Sequence, residues 1–154
     1  MSPRPRKFLV VVDETAECRV AVRFATRRAQ HTGGRVTLLC VAEPGQYQQW
    51  RGVEEIMREE ARQQAESLVY EAAKVVNDLS GIVPELVIEV GERAEHLLEL
   101  LRRDRDISIL VLAAGVTNEG PGPLVSMFVG PGKHPIPITI VPGALTDDEI
   151  DALG

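Results

Sequence analysis

Lys7 to Thr15 reads KFLVVVDET, and this stretch decides the fold. Phe8 through Val12 form an uninterrupted apolar run ending in a block of valines, with no polar residue alternating among them. That pattern belongs to a strand covered on both faces, as in a parallel sheet, and the acidic pair Asp13 and Glu14 closes it. Thr15 then stands where a helix cap is expected. Val20, Ala21, Phe24, Ala25 and Ala29 recur at helical spacing until Gly33 and Gly34. A buried strand followed at once by an amphipathic helix is the first half of a βαβ unit.

The rest of the chain repeats the alternation. Arg35 to Ala42 (RVTLLCVA) reads as a second strand, and Pro44 and Gly45 open a loop through Trp50. A long helix is expected from Val53 to Asp78, with Met57, Ala61, Ala65, Leu68, Ala72 and Val75 near the helical period. Val83 to Val90 reads as a strand ended by Gly91, and Glu92 to Arg103 as a helix with Leu97, Leu98 and Leu101 inward. Asp106 to Ala113 (DISILVLA) is the most apolar strand. Ile136 to Val141 (IPITIV) is the last, and Pro137 within it favours an edge. Strands alternating with helices predict an α/β fold: one open, doubly wound, Rossmann-like parallel sheet of about five strands.

No repeat or linker divides the chain, so the reading is a leader (1–6), one domain (7–142) and a C-terminal tail (143–154). In the tail, Thr146-Asp147-Asp148-Glu149 has capping-box spacing. The short helix it would start carries Ile150 and Leu153 on one side. Such a helix must dock to persist, and the expected place is beside the last strand.

Composition bounds the function. The 154 residues are 44% hydrophobic and 26% charged, enough for one core without metal or disulfide help. The net charge of −6 argues against nucleic acid or an anionic membrane surface as the main partner. The basic cluster Arg4, Arg6 and Lys7 reads as a solvated leader. It lacks the apolar stretch of a signal peptide, and no apolar run reaches membrane-spanning length, so a cytoplasmic protein is expected. Cys18 and Cys40 lie far apart, and His31, His96 and His134 are scattered. Neither a disulfide nor a metal site is predicted.

In open α/β sheets, ligands bind beyond the carboxyl ends of the strands, where the strand order reverses. That rule singles out Asp13 to Thr15, Val41 to Pro44, and the stretch after Ala114. The Asp13 carboxylate can accept from an exocyclic amine or a ribose hydroxyl, or it and Thr15 can merely cap the next helix. Glu14 and Glu17 suit the positive end of that helix and would repel a phosphate there. Gly115 to Pro135 reads GVTNEGPGPLVSMFVGPGKHP, with five glycines and four prolines. Glycines let backbone amides approach an anion, as a phosphate cradle needs. The alternative is a shortened crossover in which Leu124, Val125, Met127 and Phe128 form one docked helical turn. Gly130-Pro-Gly-Lys133 resembles the end of a Walker A loop, but Met127 and His134 occupy positions that motif needs for Gly and Ser or Thr. An acidic receiver-domain pocket around Asp13 would need an aspartate and a lysine where Gly91-Glu92 and Pro142-Gly143 stand. Ser126 and His134 share a loop but have no elbow motif or orienting carboxylate.

FLVVVDET, VTLLCVAEP, the Val90-Gly91-Glu92 turn, the glycine loop and IPITIVPG follow one another in an order that resembles the universal stress protein family over almost the whole chain. The resemblance implies strand order 3-2-1-4-5, a homodimer joined along the last strand (Ile136 to Val141 here), and ATP binding in many members. It places Asp13 near the adenine and Val41 at the second-strand contact. The ribose and phosphates would meet a loop of the form G-x-x-G-x9-G-[ST]. Gly120 and Gly130 keep the nine-residue gap, but Thr117 replaces the first motif glycine and Pro131 the phosphate-contacting Ser or Thr. Gly122 and Gly132 keep the same gap, with Glu119 and Lys133 breaking the pattern instead. The family's helix before the last strand is cut short or lost, and Lys133 can partly compensate as a point charge.

The expected nucleotide-binding set is therefore Asp13, Thr15, Val41, Gly115, Gly120, Gly130, Gly132 and Lys133, with ATP or a related adenine nucleotide as ligand and no cofactor required. No catalytic residue is expected, and at most slow ATP hydrolysis. Two readings stand: a stress-response regulatory domain that binds the nucleotide without efficient turnover, and a dimeric interaction module of the same fold that has lost the cradle. An enzyme acting on an adenylated or phosphorylated small molecule is a third class, for which the sequence offers no catalytic constellation.

Overall fold

The apolar run becomes the central strand: β1 (Lys7–Val11) is buried at all five positions. It lies between β2 (Arg35–Ala42) and β4 (Ile107–Ala114). With β3 (Glu85–Val90) and β5 (Ile138–Pro142) the order is β3-β2-β1-β4-β5, and every neighbouring pair is parallel. The helices are α1 (Cys18–Thr32), α2 (Arg51–Ser80), α3 (Arg93–Arg103) and, in the tail, α4 (Asp147–Leu153). This computed structural model describes residues 5–43, 51–115, 124 and 136–154.

Strand alternation sorts the core into two layers. Phe8, Val10 and Val12, with Val36, Leu38 and Cys40, pack beneath α1, α2 and Ile150 of α4. Leu9 and Val11, with Leu39 and Val41, pack against Leu97, Leu100 and Leu101 of α3. Helices thus cover both faces, and the winding reverses between β1 and β4. Gly33 ends α1 with φ 67°, and the Gly34 N–H reaches back to the Ala29 carbonyl at 2.7 Å. Among the described residues no helix is long and apolar enough to cross a membrane, no group of side chains has metal-ligand placement, and both cysteines are free.

Several expectations change. Lys7 is not part of a solvated leader. It is 5% exposed, and its ammonium lies 2.6 Å from Asp104 and 3.1 Å from Glu85, because the strand carries it under the amino end of the sheet. Thr15 does not cap α1. Its N–H and hydroxyl both turn back to Asp13 Oδ1, at 2.9 and 2.5 Å, so the chain makes a turn first. The helix begins at Cys18 with Glu17 before it and no side-chain cap. Val83, 84% exposed, precedes β3 instead of starting it. Likewise Ile136 and Pro137 precede β5, and the Pro137 carbonyl accepts from the Leu110 N–H at 3.1 Å. The buried stripe of α2 runs through Ala65, Val69 and Val76, whereas Val75 is 42% exposed.

In the tail the capping box forms, with Thr146 and Glu149 exchanging side-chain-to-backbone bonds. However, α4 docks on α1 and not beside the last strand. Ile150 is buried and Leu153 is exposed. Asp151 takes two bonds from Arg23 at 2.8 Å each and one from Arg27 at 3.0 Å. His31 Nδ1 meets the Gly154 carbonyl at 3.0 Å.

Candidate functional site

The carboxyl ends of β1 and β2 form one wall. Pairing continues one residue past β1, where the Val12 N–H donates to the Leu39 carbonyl at 2.7 Å, and Asp13 then leaves the sheet. Its carboxylate is held by the Thr15 bonds through Oδ1. Its own N–H donates to Cys18 Sγ at 3.5 Å, and that thiol reaches the Val11 carbonyl at 3.8 Å. Burial pushes the Cys18 thiol up to about 11, against the opposing pull of the Asp13 N–H. Cys18 is therefore a packing residue, not a nucleophile.

The turn after β3 supplies the opposite wall. Gly91, at φ 145°, donates to the Ala42 carbonyl at 2.9 Å. A side chain there would sit 2.7 Å from His96 Nε2, which lies 3.1 Å from the Val90 carbonyl. This tight turn brings Arg93 to the start of α3. Glu43 accepts the Arg93 N–H at 3.1 Å and so supplies the cap that Glu92 does not. The Arg93 Nε is buried and has no hydrogen-bond partner among the described residues.

These walls enclose a cavity of about 220 Å³ lined by Asp13, Glu14, Val41, Glu43 and Arg93, with Ala61, Ala65 and Leu68 of α2 across from them. Cys40 also lines it. Burial pushes that thiol up to about 11, Arg93 pulls it down and Asp13 pushes it further up. A larger cavity of about 480 Å³ lies between α1 and α2, floored by Cys18, Val22, Ala72 and Val75. Asp13, Glu14 and Leu68 belong to both.

Of the sequence-derived site residues, Asp13 and Val41 therefore share the smaller cavity. Thr15 lines the larger one and Gly115, just past β4, lines neither. Gly120, Gly130, Gly132 and Lys133 lie outside the described residues, as does the Pro44 to Trp50 loop. Sequence reasoning singled out the Val41 to Pro44 stretch that holds Glu43 without naming that residue, and it missed Arg93. The strand-end rule that selected Asp13 and Val41 applies equally to the turn after the third strand, and would have found Arg93 there. Chemically, the lining of the smaller cavity is more polar than apolar: Asp13, Glu14 and Glu43 supply carboxylates, Gln64 an amide, and Arg93 a guanidinium whose Nε has no partner among the described residues. Among the described residues it contains no nucleophile-and-base pair.

The sequence model described as the universal stress protein family matches residues 5–121. Comparison with the curated proteins gives no match. Among solved structures, a universal stress protein, UspA from Lactobacillus plantarum, superposes with TM-score 0.71 at 20% identity, covering 91% of this chain and 99% of that one. A universal stress protein family member from Arabidopsis thaliana with AMP bound gives 0.61 at 16% identity, covering 90% and 92%. A universal stress protein in complex with cAMP gives 0.57 at 15% identity, covering 92% and 100%.

Proposed function

We infer that this chain, which belongs to the universal stress protein family, is a regulatory domain that binds ATP or a related adenine nucleotide without efficient turnover. The observation that carries this reading is the convergence of Asp13 and Val41 on one cavity at the carboxyl ends of β1 and β2. This is where an open α/β sheet offers backbone ends and a crevice to a ligand. The AMP and cAMP found in two structural neighbours support a purine nucleotide as the ligand class. In this reading Asp13 and Val41 hold the base, and Thr15 keeps the Asp13 carboxylate turned toward it. Gly115 and the glycine segment with Gly120, Gly130, Gly132 and Lys133 receive the ribose and phosphates. The domain spans 7–142, works in the cytoplasm and pairs as a homodimer through β5.

The competing reading is a dimeric interaction module of the same fold without nucleotide. It draws on Thr117 and Pro131, which replace a glycine and a hydroxyl residue of the family's phosphate loop. Mass spectrometry of small molecules released from the denatured, freshly purified protein, followed by calorimetric titration with AMP and ATP, separates the two. Released or titrated adenine nucleotide at micromolar affinity is expected. An empty protein that takes up neither nucleotide at millimolar concentration overturns the nucleotide reading in favour of the module.

A further inference from the structure

We propose that the larger cavity, between α1 and α2, is a second binding site that takes a small organic cation: an amine carried on a compact apolar body such as one aromatic ring system. This site stands apart from the nucleotide reading above, and the two residues that test it, Glu71 and Val75, line the larger cavity and not the smaller one.

Helices packed side by side leave a void where the facing side chains are short. Here Cys18 of α1 and Ala72 of α2 are the short ones, and Val12, Val22, Leu68 and Val75 complete the apolar lining. Burial keeps the Cys18 thiol protonated, so the floor carries no charge. At about 480 Å³ the cavity falls within the ~300–1,000 Å³ of small-molecule sites. Val75 lines it and is still 42% exposed, so an apolar body seated there removes that surface from water.

The charges around this floor select the sign of the ligand. Asp13, Glu14, Glu71 and Asp147 line the cavity together with Arg19 and Arg23. Both guanidiniums are committed to α4: Arg23 lies 3.4 Å from Asp147 and 2.8 Å from Asp151, and Arg19 lies 3.9 Å from Asp147. Asp147 is thereby neutralised. Among the described residues no basic side chain pairs with Asp13, Glu14 or Glu71, and Asp13 accepts only from Thr15, a neutral donor. Three carboxylates without a counter-charge favour a positive group and repel an anion. Among the described residues no group has metal-ligand placement, and a bare metal ion gains nothing from the apolar floor. A hydrocarbon gains nothing from the carboxylates. One amine on an apolar body uses both.

The test titrates the full chain calorimetrically with tryptamine, its alcohol counterpart tryptophol and its acid counterpart indolepropionate, which share one indole and differ in charge. Tryptamine should saturate the native chain below millimolar concentration. Tryptophol should bind about tenfold more weakly, for the loss of two or three exposed charge contacts, and indolepropionate weakest of the three. Glu71→Gln should weaken tryptamine about two- to fivefold, the range for one exposed ion pair, and leave tryptophol unchanged. Val75→Lys sets a cation in the wall and should weaken tryptamine more than Glu71→Gln does. Both positions are exposed, so the ligand-free variants should melt close to the native chain. Tryptophol binding as tightly as tryptamine makes this a neutral apolar pocket and overturns the selection for a cation. Indolepropionate binding tightest assigns the cavity to Arg19 and Arg23, and overturns it too. Tryptamine affinity unchanged in both variants moves the ligand to another site, and a native chain that takes up no tryptamine overturns the proposal outright.

Discussion

One oxygen of the Asp13 carboxylate is tied to Thr15, so a substitution there disturbs two things at once. Asp13→Ala should cost about 0.5–1.5 kcal/mol of stability through the lost turn bonds, and in the proposed function about 1.5–3 kcal/mol of nucleotide affinity. Thr15→Val removes only the hydroxyl bond, so it should lower the melting point slightly and leave affinity near native. Affinity unchanged in Asp13→Ala, read by calorimetric titration beside a thermal melt, would sink the base contact. At the opposite end of β1, Lys7 is held by Asp104 and Glu85. Burial works to lower the Lys7 pKa, but the bonds to the two carboxylates outweigh it and hold it above its ordinary value of 10.5. Burial works to raise Asp104, and its bonds to Lys7 and the Asp106 N–H outweigh that and hold it below 3.8. Lys7→Met should therefore destabilise at neutral pH, by less than the ~3–5 kcal/mol of a fully buried broken pair because the Glu85 side chain is 40% exposed. The Lys7 contribution is present below 10.5 and fades as pH rises through the higher folded value. The Asp104 contribution is present above 3.8 and fades as pH falls through the lower one. Urea unfolding of both proteins across pH should show a gap that is flat between those limits and narrows outside them; a gap independent of pH would contradict the pairing. Asp13 and Val41 were legible because strand-end positions follow from hydrophobic runs alone. Lys7 and Arg93 were not, since a charged residue flanking a strand or opening a helix is ordinarily solvated, and only the register buries Lys7 and only the Gly91 turn brings Arg93 partly under cover.

Elements were legible where a single apolar run or one amphipathic face determines them, as in all five strands and α1. The errors lie at the ends and in the long helix. In α2 the alternatives Leu68 or Val69, and Val75 or Val76, both fit a helical stripe. The rotation that buries Val69 and Val76 is set by packing on β2 and α1, which no local pattern encodes. The tail shows the same division. Its capping box could be read from four residues, but its docking partner depends on Arg23 and Arg27 facing outward from α1, more than a hundred residues away in sequence. Those two arginines hold the Asp151 carboxyl well below the usual carboxylate range, so the latch contributes above that range and is lost as pH falls through the lowered value. Ile150 is the apolar half of the contact, at 1% exposure. Ile150→Ala should cost about 2 kcal/mol or more, and removal of the residues after Gly143 no less, at roughly 2–4 °C of melting point per kcal/mol for a chain of this size. A truncated protein that melts with the full chain would show that α4 contributes nothing to the fold.

At the scale of the molecule, β3 and β5 are the sheet's edges, and an open edge of unpaired backbone groups must be paired, covered or charged. The described part of β5 carries no charged residue, and Ile140 is 40% exposed. The parallel register fixes which of its groups face outward. Because the Leu110 N–H bonds the Pro137 carbonyl, positions 137, 139 and 141 turn toward β4, and 138, 140 and 142 turn away from it. Among the described residues, the N–H groups that turn outward on this edge are those of Ile138 and Ile140, and Pro142 closes the row without one. Pro137 faces inward, so its missing N–H falls on the β4 side, and the position a partner strand must spare is Pro142. A second copy related by a twofold axis can exchange bonds at Ile138 and Ile140 and bury both side chains, which is the homodimer of the proposed function. Light scattering at micromolar concentration should therefore give twice the chain mass. Ile140→Pro removes one of the two outward donors and Ile140→Lys places a charge on the apolar edge, so both should shift the population toward monomer. Asp13 follows β1 and Val41 lies in β2, neither of them next to β5, so nucleotide affinity per chain should stay near native in both variants. A native chain that is monomeric at that concentration, or variants that remain dimeric, would move the interface away from β5.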